Sequence, residues 1–490
     1  MSERVQMLTV ALLYFAVVAG IGIYSARRTR TARDFFVAGR GVGLVTLAIA
    51  AMATTLSGFT FIGGPGLIYR VGLGAMFIIL PAALTNTMGA AVLARRLRAL
   101  VDKREVFTIP EALAARYRSR AVQGWSAVAI LLAVVSYMAT NLLALGLVLE
   151  STLGLSLASA ICVGALVVLA YSASGGILAG LYTDVFQGLL MAVASTAVFA
   201  YALDSGGGMA SMSRTLLSEA PGFLSPWGSL SPLAALSFFF VFGIGTLGQP
   251  HVAHKYFMLR DASQLRWFPA VLTLAMTLTL LLFVGVGVAV KVQVLRGVMP
   301  PLSHPDDATP AFLRAFTPGP LAALVLSAVT AAIMSTVNSF LSIGAAACTR
   351  DLPRAFGMTP RDELRRGRAW TVVLTLLSVL VALRSDTLVA FIGIFGWGLF
   401  ASTLVPALAI GFNWPGATAA AALASIVTGL VATLSIESLA YLGWFRFPSG
   451  VTATALALVL SLLVFFVVSW FTRETAASAL DDDLRAVMDA

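Results

Sequence analysis

The sequence is short of charged residues and of the side chains that usually build catalytic or metal sites. Only 11% of its 490 residues are charged, whereas a soluble domain carries about 25%. The two cysteines, Cys162 and Cys348, fall in apolar stretches, so we expect buried thiols rather than a disulfide. Three scattered histidines lack the spacing of a metal site. This composition excludes a soluble enzyme, a disordered scaffold and a disulfide-stapled secreted domain.

Long apolar runs take the place of the missing charge. Hydrophobic residues make up 59% of the chain, and its mean hydropathy is +0.93. The runs do not alternate every second residue, which excludes a transmembrane β-barrel. Because about 20 apolar residues cross a bilayer core as a helix, the sequence predicts an all-α polytopic membrane protein with thirteen transmembrane helices. The predicted spans are 7–25, 42–70, 73–94, 122–149, 156–176, 179–203, 231–256, 267–293, 312–347, 369–384, 387–411, 416–436 and 450–472.

The positions of lysine and arginine predict which helix ends face the cytoplasm. Of the 32 such residues, 24 lie on one side of the predicted bundle. They fall in segments 26–41, 95–121, 255–266, 350–368 and 473–490. The positive-inside rule assigns this side to the cytoplasm. We therefore expect a multi-pass protein of a prokaryotic inner membrane with its N-terminus outside and its C-terminus in the cytoplasm. The net charge of +10 then requires no nucleic-acid partner.

Two spans contain runs of glycine and proline that predict broken helices. The second span carries SGFTFIGGPG at 57–66, and the seventh carries FGIGTLGQPH at 242–251. Inside a bilayer, the backbone leaves helical geometry only where it lines a cavity or packs within protein. Five helices separate the starts of these two spans, which is the spacing of an inverted-repeat transporter. The alternative is that these residues only allow neighbouring helices to pack closely.

The five-helix spacing predicts a single transporter domain with five parts. The parts are an extra N-terminal helix at 7–25, a first five-helix repeat at 42–203, a second at 231–411, two C-terminal helices at 416–472 and a cytoplasmic tail at 473–490. The tail carries three consecutive acids, Asp481, Asp482 and Asp483, and we expect it to be solvated and frayed.

Two polar features within the spans are candidates for ion binding. The ninth span carries hydroxyl groups that could face carbonyls freed by a break and form a neutral oxygen cage for a monovalent cation, although such hydroxyls often bond only their own helix. These polar residues are Ser335, Thr336, Asn338 and Ser339. Asp184 is an acid deep in the sixth span, where an ionisable group is by default a functional candidate. A capping or interface role for Asp184 is the alternative.

The chain resembles the sodium:solute symporter family over about residues 7–470. The matching motifs are DFFVAGR at 34–40, SGF at 57–59, GGPG at 63–66, GG at 175–176, YTDVFQ at 182–187, GQPH at 248–251, ST at 335–336 and TRD at 349–351. Their order and spacing carry the resemblance. It implies the leucine-transporter fold, a five-plus-five inverted repeat with extra helices at both ends, and sodium as the coupling ion.

The resemblance also implies positions for the ions. The family's main sodium site would be formed by backbone carbonyls and two hydroxyls, at Ala53, Leu56, Ala332, Ser335 and Thr336. Some members have a second sodium site, which would map here to Asp184, Ser335, Asn338 and Ser339. Asn338 departs from the hydroxyl that is usual at its position.

For the solute, the resemblance implies a site across the two breaks. The implied residues are Ser57, Gly58, Phe59, Tyr137, Phe242 and Thr246. Relative to the proline transporters, Ser57 and Tyr137 match, whereas three aromatic positions differ. Phe59 and Phe242 each replace a tryptophan, and Thr246 replaces a tyrosine. A sugar needs many hydrogen bonds, usually from side-chain amides. Only four asparagines and six glutamines are present, which disfavours a sugar as the solute. The N–H groups of a half-helix at 57–59 suit a small monocarboxylate or an amino acid.

The sequence therefore predicts a sodium-coupled symporter that imports a small organic solute by alternating access. A proton-coupled transporter of the same fold and a membrane solute sensor are the alternatives. An enzyme is disfavoured because a nucleophile with a base, or convergent acids and histidines, is lacking. The expected partners are sodium, the solute and the lipid bilayer, without an obligate protein partner.

Overall fold

The computed structural model describes residues 3–26, 42–260, 262–385, 388–444, 451–475 and 480–490. The motif at 34–40 lies outside this part of the chain. The described residues are mostly helical. In chain order the α-helices are α1 (Glu3–Ala26), α2 (Leu44–Thr55), α3 (Gly64–Val71), α4 (Met76–Gly89), α5 (Arg95–Lys103), α6 (Ile109–Tyr117), α7 (Arg120–Leu153), α8 (Leu157–Ser205), α9 (Met209–Glu219), α10 (Pro232–Gly243), α11 (Pro250–Ala253), α12 (Phe268–Leu295), α13 (Ala308–Phe316), α14 (Gly319–Ala346), α15 (Leu352–Ala355), α16 (Glu363–Leu383), α17 (Val389–Val405), α18 (Ala419–Tyr441), α19 (Ala453–Phe471) and α20 (Asp482–Met488).

The apolar helices confirm the membrane-spanning architecture. Within the described residues, ten helices are long and apolar enough to cross a bilayer. Three shorter apolar helices, Leu12–Ile21, Leu44–Thr55 and Leu157–Ala170, fall in the first, second and fifth predicted spans. Helices α14 and α17 are mostly buried by their neighbours, whereas α16, α18 and α19 expose most of their surface. The bundle is therefore built around α14 and α17.

The second predicted span is broken as the sequence predicts. Helix α2 ends at Thr55, Leu56 is extended with φ −87° and ψ 107°, and a π-helical turn at Phe59–Gly63 leads into α3. Gly58 lies against α7 so closely that a Cβ there would be 2.6 Å from the Cβ of Ala144. Only glycine fits this contact, which holds the break against α7.

The seventh predicted span is broken as well. Helix α10 ends at Gly243 and is followed by a 3-10 turn, Ile244–Gly248. Gln249 is extended with φ −78° and ψ 108°, and α11 begins at Pro250. The cause is local, because the proline ring excludes helical backbone at the preceding residue. Proline is itself well suited to the first helical position.

One continuous helix covers the fifth and sixth predicted spans. Helix α8 runs over 49 residues, where the sequence predicts two helices at 156–176 and 179–203. At about 1.5 Å per residue, a straight helix of this length would reach about 74 Å, more than twice the bilayer core. Helix α8 is therefore longer than one crossing of the bilayer core requires. Its stretch from Gly180 to Ser205 is itself long and apolar enough to span.

The described end of the tail, residues 480–490, packs against the bundle, and the prediction of a solvated frayed end is wrong for it. Asp481 accepts a hydrogen bond from the N–H of Leu484 at 2.9 Å, which caps the start of α20. The same carboxylate pairs with Arg104 and Arg118. Leu484 is fully buried and Val487 is 1% exposed. The apolar side of this short helix, invisible as a long run in the sequence, docks against α5.

The expectation that both cysteines are buried is wrong. Cys162 is exposed on α8, and Cys348 is half-buried. A helix that faces lipid carries apolar side chains outward, so an apolar context in the sequence does not imply burial within the protein.

Candidate ion and solute sites

The break after α2 releases backbone carbonyls beside α14. The last four carbonyls of a helix have no N–H partner of their own. Here the hydroxyl of Thr336 donates to the carbonyl of Thr54 at 3.2 Å, which joins α14 to the end of α2. The predicted main-site residues are all buried, namely Ala53, Leu56, Ala332, Ser335 and Thr336. The structure thus brings the two segments that carry them into contact.

A buried ion pair lies next to this contact. The ammonium group of Lys255 is 3.0 Å from Asp184 Oδ2, and each side chain is 1% exposed. The hydroxyl of Ser335 donates to Asp184 Oδ1 at 2.5 Å. Ser335 therefore connects the predicted main sodium site to the acid of the predicted second site. The pair neutralises two charges that would be costly to bury singly.

Lys255 was missed by the sequence reasoning. It is the first residue of the basic segment 255–266, which we placed on the cytoplasmic side, and it falls at the end of the predicted seventh span, 231–256. The 3-10 turn His254–Met258 instead continues the broken helix and buries this lysine. Of the other two second-site residues, Ser339 is 3% exposed and Asn338 is 2% exposed. The Asn338 amide nitrogen has no hydrogen-bond partner among the described residues.

A cavity of about 60 Å³ lies between the two breaks. Four of the six predicted solute residues line it, namely Phe59, Tyr137, Phe242 and Thr246. Its other walls include Thr55, Leu56 and Trp397. The lining side chains that the structure describes are uncharged. Pockets that hold drug-sized ligands measure about 300–1,000 Å³, so this cavity is small by comparison.

Aromatic rings form one wall of this cavity. Phe59 and Phe242 stack with centroids 5.8 Å apart, and Phe242 stacks on Trp397 at 5.2 Å, each with an interplanar angle of 17°. The indole Nε1 of Trp397 is buried and has no hydrogen-bond partner among the described residues. Trp397 gave no signal in the sequence because it lies in an otherwise apolar run.

The backbone N–H groups at the start of the second half-helix are already bonded within the chain. The N–H of Gly58 donates to Asn141 Oδ1 at 3.0 Å, and the N–H of Phe59 donates to the Ser57 hydroxyl oxygen at 3.3 Å. The Ser57 hydroxyl is also 3.3 Å from the Tyr137 hydroxyl. A solute carboxylate that binds these N–H groups therefore has to replace Asn141, a second residue that the sequence reasoning did not assign to the site.

The second break is closed by its own side chain. Gln249 donates from Nε2 to the carbonyl of Gly245 at 3.0 Å and to the carbonyl of Trp397 at 3.1 Å. The amide therefore satisfies the Gly245 carbonyl within the 3-10 turn, and its second hydrogen bond connects this break to α17. The carbonyl of Thr54 at the first break is instead bonded by a hydroxyl, which can donate and also coordinate a cation.

Asp306 lies between α3, the second half of the first broken helix, and the start of α17. Asp306 Oδ2 accepts a hydrogen bond from the N–H of Val389 at 2.8 Å, at the start of α17. Gly66 of α3 lies against it, because a Cβ there would be 2.7 Å from the carbonyl oxygen of Pro305. Burial raises the pKa of Asp306 to about 6, against the lowering effect of the Val389 hydrogen bond.

Two helices broken at depth around an uncharged cavity define a secondary transporter. The chain belongs to the sodium:solute symporter family, whose family model matches residues 35–429. It is accordingly a multi-pass membrane protein and a sodium-coupled symporter of a small organic solute.

Individual relatives agree with this assignment along almost the whole chain. The sodium/pantothenate symporter of Escherichia coli is 27% identical over 96% of this chain and 98% of its own length. The osmoregulated proline transporter OpuE of Bacillus subtilis is 26% identical, over 95% of each chain. A solved Na⁺-coupled sialic acid symporter in a substrate-bound outward-open state superposes with a TM-score of 0.79, at 20% identity, over 96% of this chain and 97% of that one. The leucine-transporter-like fold is thereby confirmed.

Proposed function

We propose that this protein binds one sodium ion between the end of α2 and α14 and a small solute in the aromatic cavity beside it. The contact between Thr336 and the Thr54 carbonyl carries this proposal, because it holds the freed carbonyls of α2 against the hydroxyls of α14. The ligands are the carbonyls and hydroxyls predicted from the sequence, at Ala53, Leu56, Ala332, Ser335 and Thr336. Five neutral oxygens suit a hard monovalent cation that must also be released.

The second predicted sodium position is taken by an internal cation. The ammonium of Lys255 already neutralises Asp184, and a sodium ion on that carboxylate would have to displace it. A charge-neutral buried pair has little attraction for a further cation. Asp184, Asn338 and Ser339 therefore shape the surroundings of the main site, and one sodium moves with each solute.

The solute is a small monocarboxylate or an amino acid. Relatives named for pantothenate and proline transport support this class, because both solutes carry a carboxylate. Neutral donors that line the cavity include the hydroxyl of Tyr137, which lies 3.3 Å from the Ser57 hydroxyl, the hydroxyl of Thr246 and the indole N–H of Trp397. The stacked rings of Phe59 and Phe242 then pack the apolar part of the solute.

Transport proceeds by alternating access without chemical conversion of the solute. Sodium holds α2 against α14 and so completes the solute cavity between the breaks. When these helices separate, the cage loses ligands and both cargoes are released. By linkage, the solute tightens sodium binding by the same factor as sodium tightens solute binding. The protein works in an inner membrane and needs no obligate protein partner. Its N-terminus lies outside and its C-terminus in the cytoplasm, as the distribution of basic residues indicates.

Thermal unfolding of the detergent-purified protein tests the sodium site. About 100 mM NaCl should stabilise the protein over the same concentration of choline chloride by roughly 1.4 kcal/mol if sodium binds with a Kd near 10 mM. Ser335→Ala should abolish that difference. Ser378→Ala is the matched control, because among the described residues this buried hydroxyl bonds only the Leu374 carbonyl of its own helix. Equal stability in both salts, or a sodium effect that survives Ser335→Ala, would contradict the proposed site.

A further inference from the structure

A second opening, of about 400 Å³, lies at the end of the bundle that the tail covers. It is bounded by the end of α4, the start of α5 and the start of α12. Three guanidinium groups, from Arg95, Arg96 and Arg266, line it together with one carboxylate side chain, from Asp489. The opening is therefore basic, unlike the solute cavity.

The basic groups around this opening lack the acidic partners that neighbouring basic residues have among the described residues. Nearby cations pair with acids, as Arg98 does with Asp102 and Lys103 with Asp483. Arg95 and Arg266 are exposed and form no ion pair with the described residues. Arg96 donates to the carbonyl of Met488 at 3.1 Å, which fixes its guanidinium without neutralising it. Surplus positive charge therefore faces the opening.

An exposed apolar stripe leads away from the same opening. Trp267 is 59% exposed at the start of α12, and the Arg266 guanidinium lies 5.8 Å from its ring centroid. Leu274 and Leu278 are 63% and 37% exposed farther along the helix. Spacings of seven and four residues place these three side chains on one face of the helix. Exposed tryptophan is typical of the membrane–water interface.

We propose that this opening binds the headgroup of an anionic phospholipid. Arginine forks suit phosphate oxygens, and basic pockets between membrane helices are known to hold anionic headgroups. The acyl chains lie along the stripe of Trp267, Leu274 and Leu278. A free phosphate would share the headgroup chemistry but would leave this stripe unused, so the combination favours a lipid. The proposal depends neither on the sodium site nor on the identity of the solute.

Lipid titration of the full-length protein in detergent tests the proposal, with binding followed by native mass spectrometry and thermal unfolding. The probes are phosphatidylglycerol, phosphatidylcholine and inorganic phosphate. We expect phosphatidylglycerol to bind and stabilise the wild type in preference to the other two. The double variant Arg95→Gln/Arg266→Gln should weaken this binding about 30-fold, because each basic group near the surface contributes about fivefold.

The control is Arg361→Gln/Arg368→Gln, which removes the same charge from two other exposed arginines. This control should bind phosphatidylglycerol as the wild type does. If both double variants lost the same amount of phosphatidylglycerol binding, net charge alone would explain the effect and the proposal would be overturned. A wild type without preference for phosphatidylglycerol, or one that inorganic phosphate stabilises equally well, would overturn it too. Leu274→Asn should weaken lipid binding while leaving any response to inorganic phosphate unchanged, which separates the lipid from a free anion.

Discussion

The ammonium of Lys255 lies 3.0 Å from the carboxylate of Asp184, and both side chains are 1% exposed. Asp184 also accepts the hydroxyl hydrogen of Ser335, which belongs to the proposed sodium cage. The electrostatics of the cage therefore depend on a pair of charges that never reaches water in this conformation. Removing either charge alone should change both the stability of the protein and its response to sodium.

Replacement of Lys255 by a neutral residue should allow a second cation to bind at Asp184. Lys255→Met leaves the Asp184 charge buried and unpaired, which costs about 3–5 kcal/mol. We expect lower stability in choline chloride, partial recovery in sodium, and a Hill coefficient for sodium that rises from about 1 towards 2. Sodium-dependent thermal shifts measure both effects. Lys255→Arg should behave as the wild type, and Lys255→Met/Asp184→Asn should recover stability with a Hill coefficient near 1. An unchanged coefficient in Lys255→Met would contradict the internal-cation role.

Thr336→Ala should weaken sodium binding. The change removes a proposed ligand and the hydrogen bond to Thr54, each worth about 1 kcal/mol or more, so we expect sodium affinity to fall at least about tenfold. Isothermal titration or thermal shift against sodium concentration measures it. The comparison variant is Thr375→Ala, whose buried hydroxyl bonds only the Thr371 carbonyl of its own helix within the described part of the chain. Similar sodium affinities in the two variants would argue against Thr336 as a ligand.

Asn141→Ala should destabilise the first break. The Gly58 N–H loses its buried acceptor, and an unsatisfied donor of this kind costs about 1–3 kcal/mol. Thermal unfolding in choline chloride measures the loss without any contribution from sodium. Thr140→Val is the neighbouring control, because its hydroxyl bonds only the Ser136 carbonyl of the same helix. A loss in Asn141→Ala no larger than in Thr140→Val would mean that Asn141 does not support the break.

Asp306 should make stability fall as the pH rises from about 4 to about 6. Its pKa is raised by burial from 3.8 to about 6 in the folded protein, with His304, Asp307 and Arg70 contributing smaller electrostatic effects. The folded state therefore holds a proton that the unfolded state has lost over this range, so deprotonation favours unfolding. Unfolding of wild type and Asp306→Asn across this range should show the decline only in the wild type, on the order of 2 kcal/mol. Parallel pH profiles would refute this assignment.

Asp481→Asn should release the tail from α5. The hydrogen bond from the Leu484 N–H, together with the guanidinium groups of Arg118 and Arg104, lowers the pKa of Asp481 to about 2. The contact should therefore be complete above pH 4 and weaken as the pH falls towards 2. At neutral pH, limited proteolysis should cut the tail of Asp481→Asn faster than that of the wild type. Asp482→Asn, an exposed acid of the same run, should resemble the wild type, and equal cleavage of both variants would contradict the prediction.

The features that the sequence could predict are those with local causes. Pro250 and the glycines of the two breaks determine the backbone at their own positions, and the hydroxyls of α14 are adjacent in sequence. Lys255, Trp397 and Asn141 were missed because their importance comes from contacts with distant segments. Lys255 was counted only as a basic residue of the cytoplasmic side, because the carboxylate that compensates its charge lies 71 residues away. Tail docking was missed for the same reason.

The two breaks occupy corresponding places in the repeats but differ in one functional group. Gln249 closes the second break with an amide, a donor that satisfies the Gly245 carbonyl without the help of an ion. At the first break, the hydroxyl of Thr336 makes the equivalent bond and could exchange it for a metal contact. If sodium binds at the proposed cage, its binding and release act on the first break, between α2 and α14. The second break keeps its hydrogen bonds to Gly245 and α17 without an ion, so we expect it to stay fixed while the first one opens.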